Sequence, residues 1–163
     1  MNPNFIRPIA ICVFRNDGHI LVAEGRDPLK RRTFYRPLGG AIEFGEYSAD
    51  TIARELSEEL GAAVVDIRYL GAIENVFTYD GQTGHEIVMV YDGAFADRSL
   101  YERPVIEGVE DNGLSFRAVW VKLADCDDPA APPLYPTGLL KLLAYHLDPH
   151  EIGNPLNPSV PGT

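Results

Sequence analysis

Gly40-Ala41-Ile42-Glu43-Phe44-Gly45-Glu46 leads through Tyr47 into Ser48-Ala49-Asp50-Thr51-Ile52-Ala53-Arg54-Glu55-Leu56-Ser57-Glu58-Glu59-Leu60-Gly61-Ala62. In this stretch Ala49, Ile52, Ala53, Leu56 and Leu60 recur at i, i+3, i+4, i+7 and i+11, which lines them along one face of a helix over 48–60. Gly61 supplies the C-terminal stop. Beside the apolar face, Glu55, Glu58 and Glu59 stand at i, i+3 and i+4, where like charges each cost a few tenths of a kcal/mol, or about 0.2–0.5 per pair. Most charge runs of this kind are solvated helix faces. The other reading is a hard divalent cation, Mg²⁺ or Mn²⁺, held by clustered carboxylate oxygens. Glu46 and Arg54 add an ion pair that would fix the loop against the helix.

Working outward, Pro8 to Phe14 and His19 to Ala23 are β-rich apolar runs around Asn16-Asp17-Gly18, a hairpin signal. Thr33 to Phe44 is extended chain broken by Gly39-Gly40. Ala63 to Tyr79 reads as one long or broken strand, Asp80 to Gly84 as a turn, and Glu86 to Tyr91 as a buried strand. Asp97 to Gly113 has weak periodicity and reads as a long loop, a place where function tends to collect. Phe116 to Leu123 is a last strand. Thr137 to Leu147 is a last helix with Leu139, Leu140, Leu143 and Leu147 inward. The fold class is therefore α/β (α+β), one domain over 1–148 followed by an irregular Pro-rich tail over 149–163.

Composition narrows the partners. The chain has 163 residues and a formal net charge of -10, which opposes wide contact with a phosphate backbone, so long nucleic acid is not expected. A short anionic ligand remains compatible if a divalent cation stands between the two sets of negative charge. Cys12 and Cys126 are too far apart in sequence, and too deep in apolar segments, to read as a metal knuckle or disulfide framework. No membrane-length apolar run and no basic leader with an apolar core is present, so a cytoplasmic protein with no membrane partner is expected. None of Lys30, Lys122 and Lys141 follows a glycine, which removes a P-loop. His85-Glu86 lacks the second histidine of a zinc-protease helix, and no Gly-x-Ser-x-Gly elbow occurs.

Gly40, five residues, Glu46, seven residues, then Arg54-Glu55-Leu56-Ser57-Glu58-Glu59-Leu60-Gly61 resembles the nudix box, G-x5-E-x7-R-E-U-x-E-E-x-G-U. Ala62 departs from it, standing where a bulky aliphatic residue is usual. The resemblance implies a nudix-type α/β/α sandwich with a mixed β-sheet. It also implies divalent-metal-dependent hydrolysis of a diphosphate linkage in a nucleoside diphosphate derivative, with Mg²⁺ as cofactor and Mn²⁺ as substitute.

By position in that box, Glu55, Glu58, Glu59 and the Gly39 carbonyl become the metal ligands, while Glu55 and Glu58 also carry catalysis. Gly40, Glu46, Arg54 and Gly61 brace the box. A further acid from outside it is expected among Glu86, Asp92, Glu107, Glu110 and Asp111; Glu86 is preferred as catalytic, the alternative being a solvated strand edge. Arg26, Lys30, Arg31, Arg32 and Arg36 gather just ahead of the box, and Arg26 and Arg36 are candidates to grip phosphate, unless the group is a solvated loop. Tyr35, Phe77 and Tyr79 could stack on a base or belong to the core. A nudix-like regulatory module that binds a nucleotide without cleaving it is the alternative function, disfavoured because all three box glutamates are kept. An isoprenoid diphosphate isomerase on the same scaffold would need a cysteine and glutamate that this chain does not obviously supply. A homodimer is expected by analogy with relatives.

Overall fold

The computed structural model describes residues 5–146, so the 149–163 tail and Leu147 lie outside the described residues. The strands are β1 (Arg7–Asn16), β2 (His19–Asp27), β3 (Arg32–Arg36), β4 (Leu38–Ala41), β5 (Val64–Tyr79), β6 (Gln82–Phe95), β7 (Val105–Val109) and β8 (Ser115–Lys122). Helix α1 (Ser48–Leu60) follows β4, and α2 (Leu139–His146) closes the described chain.

β1 and β2 form the expected hairpin, turned by Asp17 and Gly18 with φ of 47° and 74°, the left-handed pair that suits a tight β-turn. They are joined only near its tip, through Arg15↔Ile20 and Asn16↔His19. Beyond that point β1 runs parallel to β6 on one side and antiparallel to β4 on the other, while β2 pairs with β8 and β3. The strand order β5-β6-β1-β2-β8-β7 thus divides into two halves that splay from the hairpin tip.

Alternation along these strands builds a core on each face. Ala10, Cys12, Phe14, Leu21 and Ala23 meet Ile52 and Leu56 of α1. Ile11, Val13, Ile20, Val22, Val88 and Val90 meet Leu139 and Leu143 of α2. Burial of each such aliphatic side chain contributes roughly 1.5–3 kcal/mol. A sheet covered on both faces explains why β1 reads as a continuous apolar run, and it gives the α/β/α sandwich.

Two sequence expectations change. The 97–113 segment is no long loop, because it contains a 3-10 turn (Arg98–Glu102) and all of β7. Strand β7 is five residues with Gly108 inside, too short and interrupted to show a period, and it is organised by its pairing with β8. The 80–84 turn is likewise tighter: Asp80 and Gly81 alone reverse the chain at φ of 49° and 72°, and Gln82 to Gly84 already pair in β6.

α1 has the bounds its periodicity predicts. It ends with Gly61 at φ 64°, after which the Ala62 N–H donates to the Leu56 carbonyl at 3.2 Å. Both cysteines are free, and burial pushes the Cys12 thiol far above its ordinary value. No described helix is long and apolar enough to cross a membrane.

Candidate active site

Strand β4, the loop after it and α1 carry the box. Gly40 lies opposite Ala10 of β1, and a Cβ at Gly40 would collide with the carboxylate of Glu55. Gly39, at φ +146°, would drive a Cβ into the Ala10 carbonyl. Gly40 therefore lets the Glu55 carboxylate lie directly on the strand backbone, while Gly39 lets β4 approach β1 closely.

Glu55 is a charged residue only 3% exposed, and burial raises its pKa against the opposing pull of Arg54. Arg54 organises the rest. Its Nε and Nη2 donate to Glu46 at 2.8 and 3.0 Å, its Nη1 donates to Glu55 at 2.9 Å and Glu58 at 3.2 Å, and Nη2 also reaches the Ala41 carbonyl at 3.0 Å. Glu46 further accepts from the Thr51 hydroxyl and the Glu43 N–H, and with the Arg54 hydrogen bond foremost its pKa is held down to about 2. One guanidinium so fastens the loop to the helix and partly neutralises two acids beside it.

Glu55, Glu58 and Asp111 each bring one carboxylate oxygen into a group within 4.8 Å of one another. Asp111 comes from the β7–β8 turn, closed by the Glu110 N–H on the Leu114 carbonyl at 2.8 Å. Three hard oxygens at this spacing, with Arg54 paired, of the three, to Glu55 and Glu58 only, fit a divalent cation of the Mg²⁺ type. Glu59 lies outside that group. Burial, then the charges of Glu55, Glu110 and Asp111, push it up to about 8, with Arg36 opposing.

Arg36 donates to Glu110 at 2.7 Å and acts electrostatically on both Glu59 and Glu86. Glu86 faces Arg7 and Asn75 across neighbouring strands; burial raises its pKa, with Arg7, Asn75 and Arg36 lowering it. Glu86, the preferred extra acid, is not in the acid group, while Asp111 stands there with Glu55 and Glu58. Arg26 is exposed opposite Thr33 and does not join the acids. Tyr35, next to Arg36 and so on the other side of β3, is partly buried and packs against the core cluster that includes Leu139 and Leu143. Phe77 lies over Gly84, and Tyr79 meets Phe34 edge-on at 6.2 Å, so both pack against protein. Lys30 and Arg32 turn to the carbonyls of Thr78, Pro129 and Ala131.

Asn75 escaped the sequence reading. Its only signal was an amide inside an otherwise β-favouring run, and it is buried. A cleft of about 580 Å³ opens at the other end of β1 and β6, lined by Arg15, Asn16, Asp92, Arg98 and Tyr101. It begins five residues from Ala10, about 16 Å along the strand, and contains none of the grouped acids. Volume and the surplus of carboxylates therefore fall in different places on the molecule.

A two-faced mixed sheet, with a glutamate-bearing helix braced on a glycine strand, defines a nudix-type hydrolase fold. The chain matches the NUDIX domain over residues 5–139 and belongs to that family of hydrolases. The NAD-capped RNA hydrolase NudC of Vibrio vulnificus is 39% identical over 67 residues, covering 41% of this chain and 25% of that protein. NudC of Vibrio cholerae is 37% identical over the same length, covering 41% and 24%. The match spans only about a quarter of these relatives. Among solved structures, a NUDIX hydrolase from Nitrosomonas europaea superposes with a TM-score of 0.60 at 19% identity, covering 87% of this chain and 89% of that one. The MutT NUDIX hydrolase of Burkholderia pseudomallei gives 0.57 at 22%, covering 81% and 92%. These two show the shared fold.

Proposed function

We propose that the protein hydrolyses a diphosphate linkage in a small nucleoside diphosphate derivative, using Mg²⁺, with Mn²⁺ able to replace it. The observation that carries this reading is the meeting of Glu55 and Glu58, in the box of a NUDIX-family chain, with Asp111 from outside it. The cation would be held by Glu55, Glu58 and Asp111, with the Gly39 carbonyl and Glu59 as further ligands. When bound it supplies charge neutralisation on phosphate oxygens and a more acidic water. Arg54 holds the two helix acids at fixed spacing, and Glu46 holds Arg54. Arg36 offers a half-exposed guanidinium to a phosphate near the same acids. An NAD cap contains such a diphosphate, which is where the Vibrio relatives' named activity touches this reading. A cytoplasmic, dimeric protein is part of the same proposal.

The test is release of mononucleotide or phosphate from ADP-ribose, NADH, diadenosine polyphosphates, nucleoside triphosphates and nucleotide sugars, with and without Mg²⁺ or Mn²⁺. Glu58→Gln should lower turnover by roughly 100-fold or more, with the melting temperature nearly unchanged. A near-native rate for that variant in saturating Mg²⁺ would overturn the ligand assignment. Nucleotide binding without cleavage of any substrate would favour the regulatory module.

A further inference from the structure

Three adjacent strands place Arg7, Glu86 and Asn75 in one row: Arg7 opposes Glu86 between β1 and β6, and Asn75 opposes Glu86 between β5 and β6. Asn75 is 6% exposed and the Glu86 side chain 13%. Polar groups this deep cost free energy unless they are engaged. Asn75 acts on Glu86 through its amide, where a carboxylate can only accept, and the Asn75 side chain has no other polar partner among the described residues. Arg7 Nη1 stands 3.8 Å from Glu86, too far for a hydrogen bond, which leaves carboxylate capacity open as well. No fully buried side-chain polar atom among the described residues lacks a partner, so these open acceptors face accessible space rather than the core. Arg36 is within electrostatic reach of both Glu86 and Glu59, so one charge is felt at this row and at the box.

We propose that Glu86 and Asn75 form a recognition subsite for a group that presents two adjacent hydrogen-bond donors, on a nucleotide whose phosphates lie at the box; this rests on the function proposed above. Guanine, alone among the standard bases, sets a ring N–H beside an amino group on its pairing edge. A ribose cis-diol offers the same chemistry through two hydroxyls. Adenine and cytosine place a ring acceptor next to the amino group, which would face an acceptor here and leave both unpaired. Glu86 then reads the substrate and takes no part in the bond cleavage for which its sequence position made it a candidate.

GMP, IMP, AMP and dGMP contain no anhydride, so their binding, measured by calorimetry, reads the subsite without turnover. A guanine subsite makes GMP bind about tenfold or more tighter than AMP, with IMP falling back toward AMP. A diol subsite makes GMP and AMP equal and dGMP about tenfold weaker. Glu86→Gln, which puts a donor where an acceptor stood, erases whichever preference exists. Four equal affinities would overturn the proposal, as would a Glu86→Gln enzyme slowed alike on every substrate with its affinity ratios intact. Absence of metal-dependent cleavage alongside a persisting preference would sink the hydrolase reading and leave the subsite standing.

Discussion

Two arginine-centred networks sit at opposite ends of the β1–β6 pair, and they differ in the sign of what is left over. At the box, the single guanidinium of Arg54 lies within 4.0 Å of Glu43, Glu46, Glu55 and Glu58. At the far end, Arg15 and Arg68 both converge on Asp92, at 3.0 and 3.2 Å. The first network leaves unbalanced carboxylates, buried at Glu55 and exposed at Glu58, and creates demand for a further cation. The second gives its carboxylate two positive partners and creates none. Ion pairing alone therefore does not locate chemistry; the residual charge after pairing does.

The largest break of this contrast comes from Gly40→Ala. The added methyl displaces the Glu55 carboxylate, a flexible tip, while the backbone at 40 tolerates alanine, so function suffers more than fold. Metal affinity by titration calorimetry, and turnover with it, should fall roughly 10- to 100-fold, with about 1 kcal/mol or less lost in denaturant unfolding. A variant with unchanged metal affinity would detach Glu55 from the metal group.

Asp92→Asn should invert that pattern. It leaves Arg15 and Arg68 without their shared counter-charge in a site where Asp92 is mostly buried, costing about 1–3 kcal/mol in urea unfolding. Turnover should stay at the wild-type level. A comparable loss of turnover would show that β6 couples the two ends.

The contrast also explains what could be read early. Helix α1, its glutamates and Gly61 are local in sequence, so spacing alone located them. The splayed sheet is not local: β1 lies parallel to β6 across a separation of 79 residues at Arg7↔Glu86, a pairing no short pattern encodes. Asp111 was one of several eligible acids, because only the β7–β8 pairing turns it toward Glu55. Tyr35 and Arg36 are adjacent in sequence and equally suggestive, yet strand alternation sends one into the core and the other to the acids.

Glu59 sharpens the box side through pH. In metal-free protein its carboxyl is pushed up to about 8 from an ordinary value near 4.5, so the folded state holds its proton more tightly than the unfolded chain. Its contribution is fully present below pH 4.5 and is lost as pH rises toward 8. The melting temperature in EDTA should therefore decline across that window, and Glu59→Gln should flatten the decline. An identical slope in wild type and variant would remove Glu59 as its cause.

The smallest effect belongs to Arg68→Ala. Arg68 is more than half exposed and donates one bond to Asp92, while Arg15 keeps two, from Nε at 3.1 Å and Nη2 at 3.0 Å. Loss of an exposed partner from a carboxylate that stays doubly bonded should cost under about 1 kcal/mol and leave turnover untouched. The matching change at the box has no such reserve, because Arg54 is the one guanidinium bridging Glu46, Glu55 and Glu58 among the described residues. If Arg68→Ala destabilised the fold as much as Asp92→Asn, Arg15 would not be sufficient for Asp92. The far network would then be as singly braced as the box, and residual charge would be the only difference between the two ends.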